Sequence, residues 1–176
     1  MNVKEFWDVI NEFSVQPENK QLKWLENELM QKSVQDIVDF RAIYETVENE
    51  LYFNSELAQY VASLFPDKGV MKHKDFCIWL IAQGYEKYLA VLTHHEILPC
   101  TLKESNTSEP YRNDYAWFAA AGAYIDKREQ RMNGTAENDE DAFILLLNKT
   151  LLEAENKLEP LEIKRSLKIR NGAVVI

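Results

Sequence analysis

The sequence predicts an all-α protein, an irregular bundle of six or seven helices, and three observations carry that expectation. Only 5 Gly and 5 Pro occur in 176 residues, too few for the tight turns of a sandwich or barrel. Apolar residues recur at spacings of three and four along most of the chain. Hydrophobic residues make up 46% and charged residues 28%, the composition of a chain that folds on its own rather than a disordered one.

Asn2 and Glu5 have capping-box spacing, and Val3, Phe6, Trp7, Ile10 and Phe13 follow on one helical face. After Ser14 and Pro17, Leu22, Leu25 and Leu29 form the stripe of a second helix. Ser33, with Asp36 three residues on, opens a third carrying Ile37, Phe40, Tyr44, Val47 and Leu51, the cleanest periodic run in the chain. Asn54 or Ser55 caps a fourth with Leu57, Tyr60, Val61 and Leu64, which Pro66 to Gly69 end as a turn.

The next segment, KDFCIWLIAQGYEKYLAVL, is apolar on every side between Phe76 and Ala82, so it belongs at the centre of the bundle. A strand competes over FCIWLI alone, but Tyr85, Tyr88, Leu89 and Leu92 continue with helical spacing. One helix through Gly84 is expected, with close packing against the glycine to justify its cost of about 1 kcal/mol.

Residues 99–110 read as a polar hinge separating a five-helix part, 1–98, from helices in 111–160, all within one domain. A sixth helix over Tyr111 to Met132 offers a small-residue face of Tyr115, Phe118, Ala119, Gly122 and Ile125, and Asn133 and Gly134 end it. The acidic linker TAENDED leads into a seventh through Phe143, Leu146, Leu147, Thr150, Leu151 and Leu158, stopped by Pro160. Residues 161–176 alternate Leu161, Ile163, Leu167 and Ile169 with polar residues and suggest a short strand or extended arm. The arm is basic, net +3, so residues 1–160 carry −12 against −9 for the whole chain, and it has the option of docking on the acidic body.

The opening EFWDVI, the later DIVDF at Asp36 to Phe40 and above all DFCIWLIAQGYEKY at Asp75 to Tyr88 resemble the bacterial domain-of-unknown-function family 4240. The shared pattern falls on Phe6, Trp7, Phe76, Trp79, Leu80, Ile81 and Gly84, within residues of about 4–98. Where that family has a Gly-rich acidic stretch before the central helix, this chain has SLFPDKGVMKHKDF, with one Gly and three Lys. The resemblance implies a helical fold and no catalytic residue.

The net charge of −9 repels phosphate backbones and anionic lipid, so neither nucleic acid nor a membrane is an expected partner. Cys77 and Cys100 form no disulfide framework, and the N-terminus has no signal-peptide core, which together point to the cytoplasm. His94, His95 and Glu96 with Cys100 have metal-ligand chemistry, but adjacent histidines on a helix point about 100° apart. A helix C-terminus is the expected setting of these histidines, and a surface helix start that of His73. Trp79 reads as core, and Asp75 as an N-terminal helix residue rather than a general base.

No GxSxG, P-loop, GxGxxG or HExxH motif occurs, so no catalytic residue, metal or cofactor is expected. Tyr111, Arg112, Asn113, Asp114 and Tyr115 combine the residue types enriched at protein interfaces and are the candidate partner-binding cluster. The simpler reading of the same run is a helix start with Asn or Asp as cap. The function expected is a non-enzymatic interaction module, immunity-like or regulatory toward another bacterial protein. The rival is an enzyme with a cleft between the five-helix part and the last two long helices.

Overall fold

In the computed structural model, residues 1–66, 71–105, 114–132 and 139–157 are described, and all secondary structure among them is helical. Nine α-helices occur among these residues, more than the six or seven expected. They are α1 (Val3–Ser14), α2 (Glu18–Met30), α3 (Val34–Tyr52), α4 (Ser55–Leu64), α5 (Met71–Ile81), α6 (Tyr85–Thr93), α7 (Leu98–Glu104), α8 (Tyr115–Met132) and α9 (Asp139–Lys157). No helix of the described residues is long and apolar enough to cross a membrane. The expected C-terminal strand or arm, 161–176, and residues 135–138 of the acidic linker lie outside the described residues, while the linker's last acids, Asp139, Glu140 and Asp141, open α9.

The sequence-encoded caps form. Asn2 accepts the Glu5 N–H at 3.0 Å while the Glu5 carboxylate accepts the Asn2 N–H, and Ser33 and Asp36 make the same reciprocal pair. Asn54, not Ser55, caps α4 by accepting the Leu57 N–H. The α3 stripe of Ile37, Phe40, Tyr44, Val47 and Leu51 is buried throughout, and Val38 and Ala42 are buried on a second side. Burial on two sides makes α3 the hub: α1, α4, α5, α8 and α9 all pack on it.

The expected helix across Gly84 is instead two, α5 and α6. Residues Phe76 to Ala82 are all buried, as their apolar character requires. The chain then breaks because Gly84 adopts φ +91° and ψ 167°, a region open essentially to glycine alone. The close packing is real: a Cβ on Gly84 would lie 2.9 Å from Asn11 Oδ1. That same oxygen accepts the Tyr85 N–H at 2.8 Å, so a side chain of α1 caps α6 across 74 residues of sequence. Gly84→Ala is therefore expected to cost about 2–4 kcal/mol, combining backbone strain with loss of the cap. Urea denaturation measures it, and a midpoint equal to the parent's would refute the dual constraint.

The expected hinge also differs, since its first half folds as α7. Pro99 occupies the first turn, where its fixed φ suits a helix and its missing N–H costs nothing, and Leu98 and Thr101, three apart, are buried. In α8 the small face is Ala116, Ala119, Ala120 and Ala123, which lets α2 and α3 approach closely. Phe118, expected on that face, is 58% exposed, and Leu22 of α2 is 38% exposed.

At the entrance to the fold the Met1 ammonium lies 2.5 Å from Asp36 Oδ1 and 2.6 Å from Asp39 Oδ2. The ammonium first, and then the Ser33 hydroxyl, hold the Asp36 carboxyl down to about 2. An acid with a lowered folded pKa adds stability that is complete above its unfolded value and is lost as pH falls through the folded one. Stability should thus decline between about pH 4 and pH 2, modestly because the side chain is partly exposed. Melting curves across that range should show a shallower acid loss in Asp36→Asn; an identical pH profile would discount the ion pair.

Candidate functional site around Arg41

Beside the apolar stripe of α3 runs a second one, Arg41, Glu45 and Glu48, spaced by four and three so that their side chains share a face. The packing of α5 and α8 on α3 buries part of it. Arg41 and Glu48 are 6% and 4% exposed. Arg41 Nη2 lies 3.9 Å from carboxylate oxygens of both Glu45 and Glu48, and Nη1 lies 3.5 Å from Asp114 Oδ2. Lys74 of α5 reaches Glu48 at 3.4 Å from its exposed position.

The guanidinium stands 5.4 Å from the ring centres of Tyr44 and Trp117, within cation–π range of both. Among the described residues its Nε and Nη1 have no hydrogen-bond partner, the carboxylates standing 3.5 Å or more away. Charge and aromatic contact hold Arg41, not the bidentate fork it is able to form. Burial pushes the Glu48 carboxyl up from its ordinary value; Lys74 pulls it back, Asp114 adds to the rise and Arg41 opposes it. Two cations among three carboxylates make a tie between α3, α5 and the start of α8.

That tie meets the predicted cluster. Asp114 pairs with Arg41 and caps α8 by accepting the Trp117 N–H at 2.9 Å, as the simpler reading of the run had it. Tyr115 is half-buried against the core and lines an apolar crevice with Phe13, Leu25, Tyr44, Ile78 and Ala116. Tyr111, Arg112 and Asn113 lie outside the described residues.

The other chemistry-bearing residues are separate from the tie. His94 ends α6 and its Nδ1 lies 3.3 Å from Glu96 Oε1 on the surface, while His95, in a 3-10 turn, faces the Tyr60 ring at 5.2 Å. Cys100 is exposed on α7, and among the described residues no three or more of His, Cys, Asp and Glu are placed to hold a metal ion.

His73, expected at the surface, is half-buried between Tyr52 and Phe76, with its Nε2 3.8 Å from Cys77 Sγ. Burial pushes the Cys77 thiol up to about 12 and the His73 imidazole down, so both are neutral near pH 7 and the pair lacks the thiolate of a nucleophile. The His-x3-Cys spacing was a signal for this contact. The Arg41 group was not foreseen, because charges at such intervals also describe a solvated helix face.

The family model for proteins of unknown function, DUF4240, matches residues 1–126. The chain belongs to the DUF4240 family. The match reaches beyond the 4–98 suggested by the shared aromatic pattern and takes in Asp114, Tyr115 and most of α8. In this DUF4240 chain the Arg41 group lies wholly inside the family region, and α9 lies wholly outside it. No curated protein and no solved structure matches the chain.

Proposed function

We propose that this DUF4240 member is a non-enzymatic interaction module, an immunity-like or regulatory partner of another protein. The observation that carries the reading is the anchoring of the Tyr111–Tyr115 cluster at its C-terminal end. Asp114 is fixed by Arg41 and by the α8 backbone, and Tyr115 is packed on the core, so the two described members of the cluster sit at an anchored helix start. The chemistry of the buried groups agrees with this. Arg41 is engaged with carboxylates and rings, and Cys77 and His73 are held neutral.

Affinity capture from cells of the native host tests the reading, with the full chain and a Tyr111→Ala/Arg112→Ala variant as baits. A stoichiometric partner bound by the parent, lost from the folded variant and reconstituted from purified components is the expected result. A partner held equally by both baits would remove the cluster from the interface. No stoichiometric partner at all would remove the module reading.

A further inference from the structure

Met1 is held at both of its ends. Its side chain is 2% exposed and packs on the core, while its α-ammonium lies 2.5 Å from Asp36 Oδ1 and 2.6 Å from Asp39 Oδ2. The two acids are three apart on α3, so they share a face and would repel each other without a cation between them. Their other oxygens are engaged elsewhere. Asp36 Oδ2 accepts the Ser33 hydroxyl at 2.6 Å and the Ser33 N–H at 3.2 Å, and Asp39 Oδ1 accepts the Gln35 amide at 2.8 Å. One oxygen of each acid remains, and both of these reach the ammonium. Burial alone would lower the Met1 amine; the hydrogen bonds to Asp36 and then Asp39 outweigh it, and the amine is raised from its ordinary value. Because Asp36 also closes the cap of α3, the ammonium fastens the entry of α1 to the helix on which the bundle packs.

We propose that Asp36 and Asp39 form a socket selective for an unmodified α-amino group, which makes Met1 a site where N-acetylation acts as a covalent switch on the fold. Acetyl transfer from a thioester donor forms an amide bond at the Met1 nitrogen and breaks the thioester. The thiol departs with one ammonium proton, and a second proton goes to solvent. The product is neutral, keeps a single N–H and carries its acyl group beside a buried side chain. One N–H serves one carboxylate, so the second acid is left facing only its neighbour's charge. The folded amine is a poor acceptor of the acetyl group, since only the deprotonated form attacks and the socket keeps it protonated. Modification therefore precedes folding and yields a less stable chain.

The test begins with the full chain unfolded in urea at about pH 6.5, where an acetyl ester reacts with an α-amine in preference to lysine. The product carrying one acetyl group on Met1, located by mass spectrometry, is refolded. Its melting temperature should lie about 3–8 °C below that of the unmodified chain. The variant Asp36→Asn/Asp39→Asn tests the cause, because acetylation should shift its melting much less. An equal shift in parent and variant would show a steric effect and overturn the socket, as would a modified parent that melts with the unmodified one.

If the acetylated chain does not refold, a second measurement decides. Folded parent and folded variant are exposed to the same acetyl ester, and the parent's Met1 should react more slowly; equal rates overturn the socket. Intact-mass analysis of the chain from its native host then tests the switch itself. Two populations of Met1, free and acetylated, are the expected result. A chain with residues before Met1, a chain lacking Met1, or Met1 always in a single state overturns the switch.

Discussion

Trp79→Ala is expected to lower stability by about 3–5 kcal/mol, a large share of the roughly 5–15 kcal/mol typical of a whole domain. The indole is 5% exposed on the helix that is apolar all round, packed against Phe76 at 5.8 Å between ring centres. Its neighbours Leu80 and Ile81 are fully buried, so the surroundings cannot collapse into the space without moving α5 against α3. Truncation would thus leave a cavity as well as lose transfer free energy. Guanidinium unfolding should show a lower midpoint with a slope like the parent's. A midpoint within experimental error of the parent's would mean that the indole is not core.

Arg41→Met should cost about as much, roughly 3–5 kcal/mol, for a different reason. Methionine keeps most of the stem's packing, but Glu48 loses its buried cation and keeps only Lys74, which is 58% exposed and screened. Asp114 loses its partner at the start of α8 as well. A second change, Glu48→Gln, removes the stranded charge and should recover part of the loss, so the two changes are not additive.

The pH dependence supplies a check with a definite sign. A carboxyl whose folded pKa is raised makes the fold more stable as pH falls through that value, and removal of Arg41 raises it further. Arg41→Met should therefore gain stability relative to the parent on mild acidification. Equal stability of Arg41→Met and the parent at pH 7 would refute the account.

What was legible in the sequence was the local part of the fold. Asn2 with Glu5, and Ser33 with Asp36, act within four residues of themselves, and the α3 stripe reports a buried face directly. The break at Gly84 was hidden, because its cause is Asn11, in a helix more than 70 residues earlier. Helix α7 was hidden because only two residues, Leu98 and Thr101, bury its inner side, too short a run for periodicity to register. Of the candidate cluster, Asp114 and Tyr115 were visible as residue types. Arg41 was not, since its environment is made by α5 and α8 converging on a stripe that alone reads as solvated.

The two cysteines give the protein an internal clock. Cys100 stands in solvent on α7, while Cys77 is sealed in α5 with its thiol far above the range in which a thiolate forms. An alkylating reagent at neutral pH should modify the first within its ordinary reaction time and the second only during rare openings of α5. The ratio of the two rates then reads the opening equilibrium of the core in native buffer, about 10⁴-fold for an opening free energy of about 5.5 kcal/mol. Because Cys77 lies two residues from Trp79 on α5, that clock runs on the helix whose packing matters most.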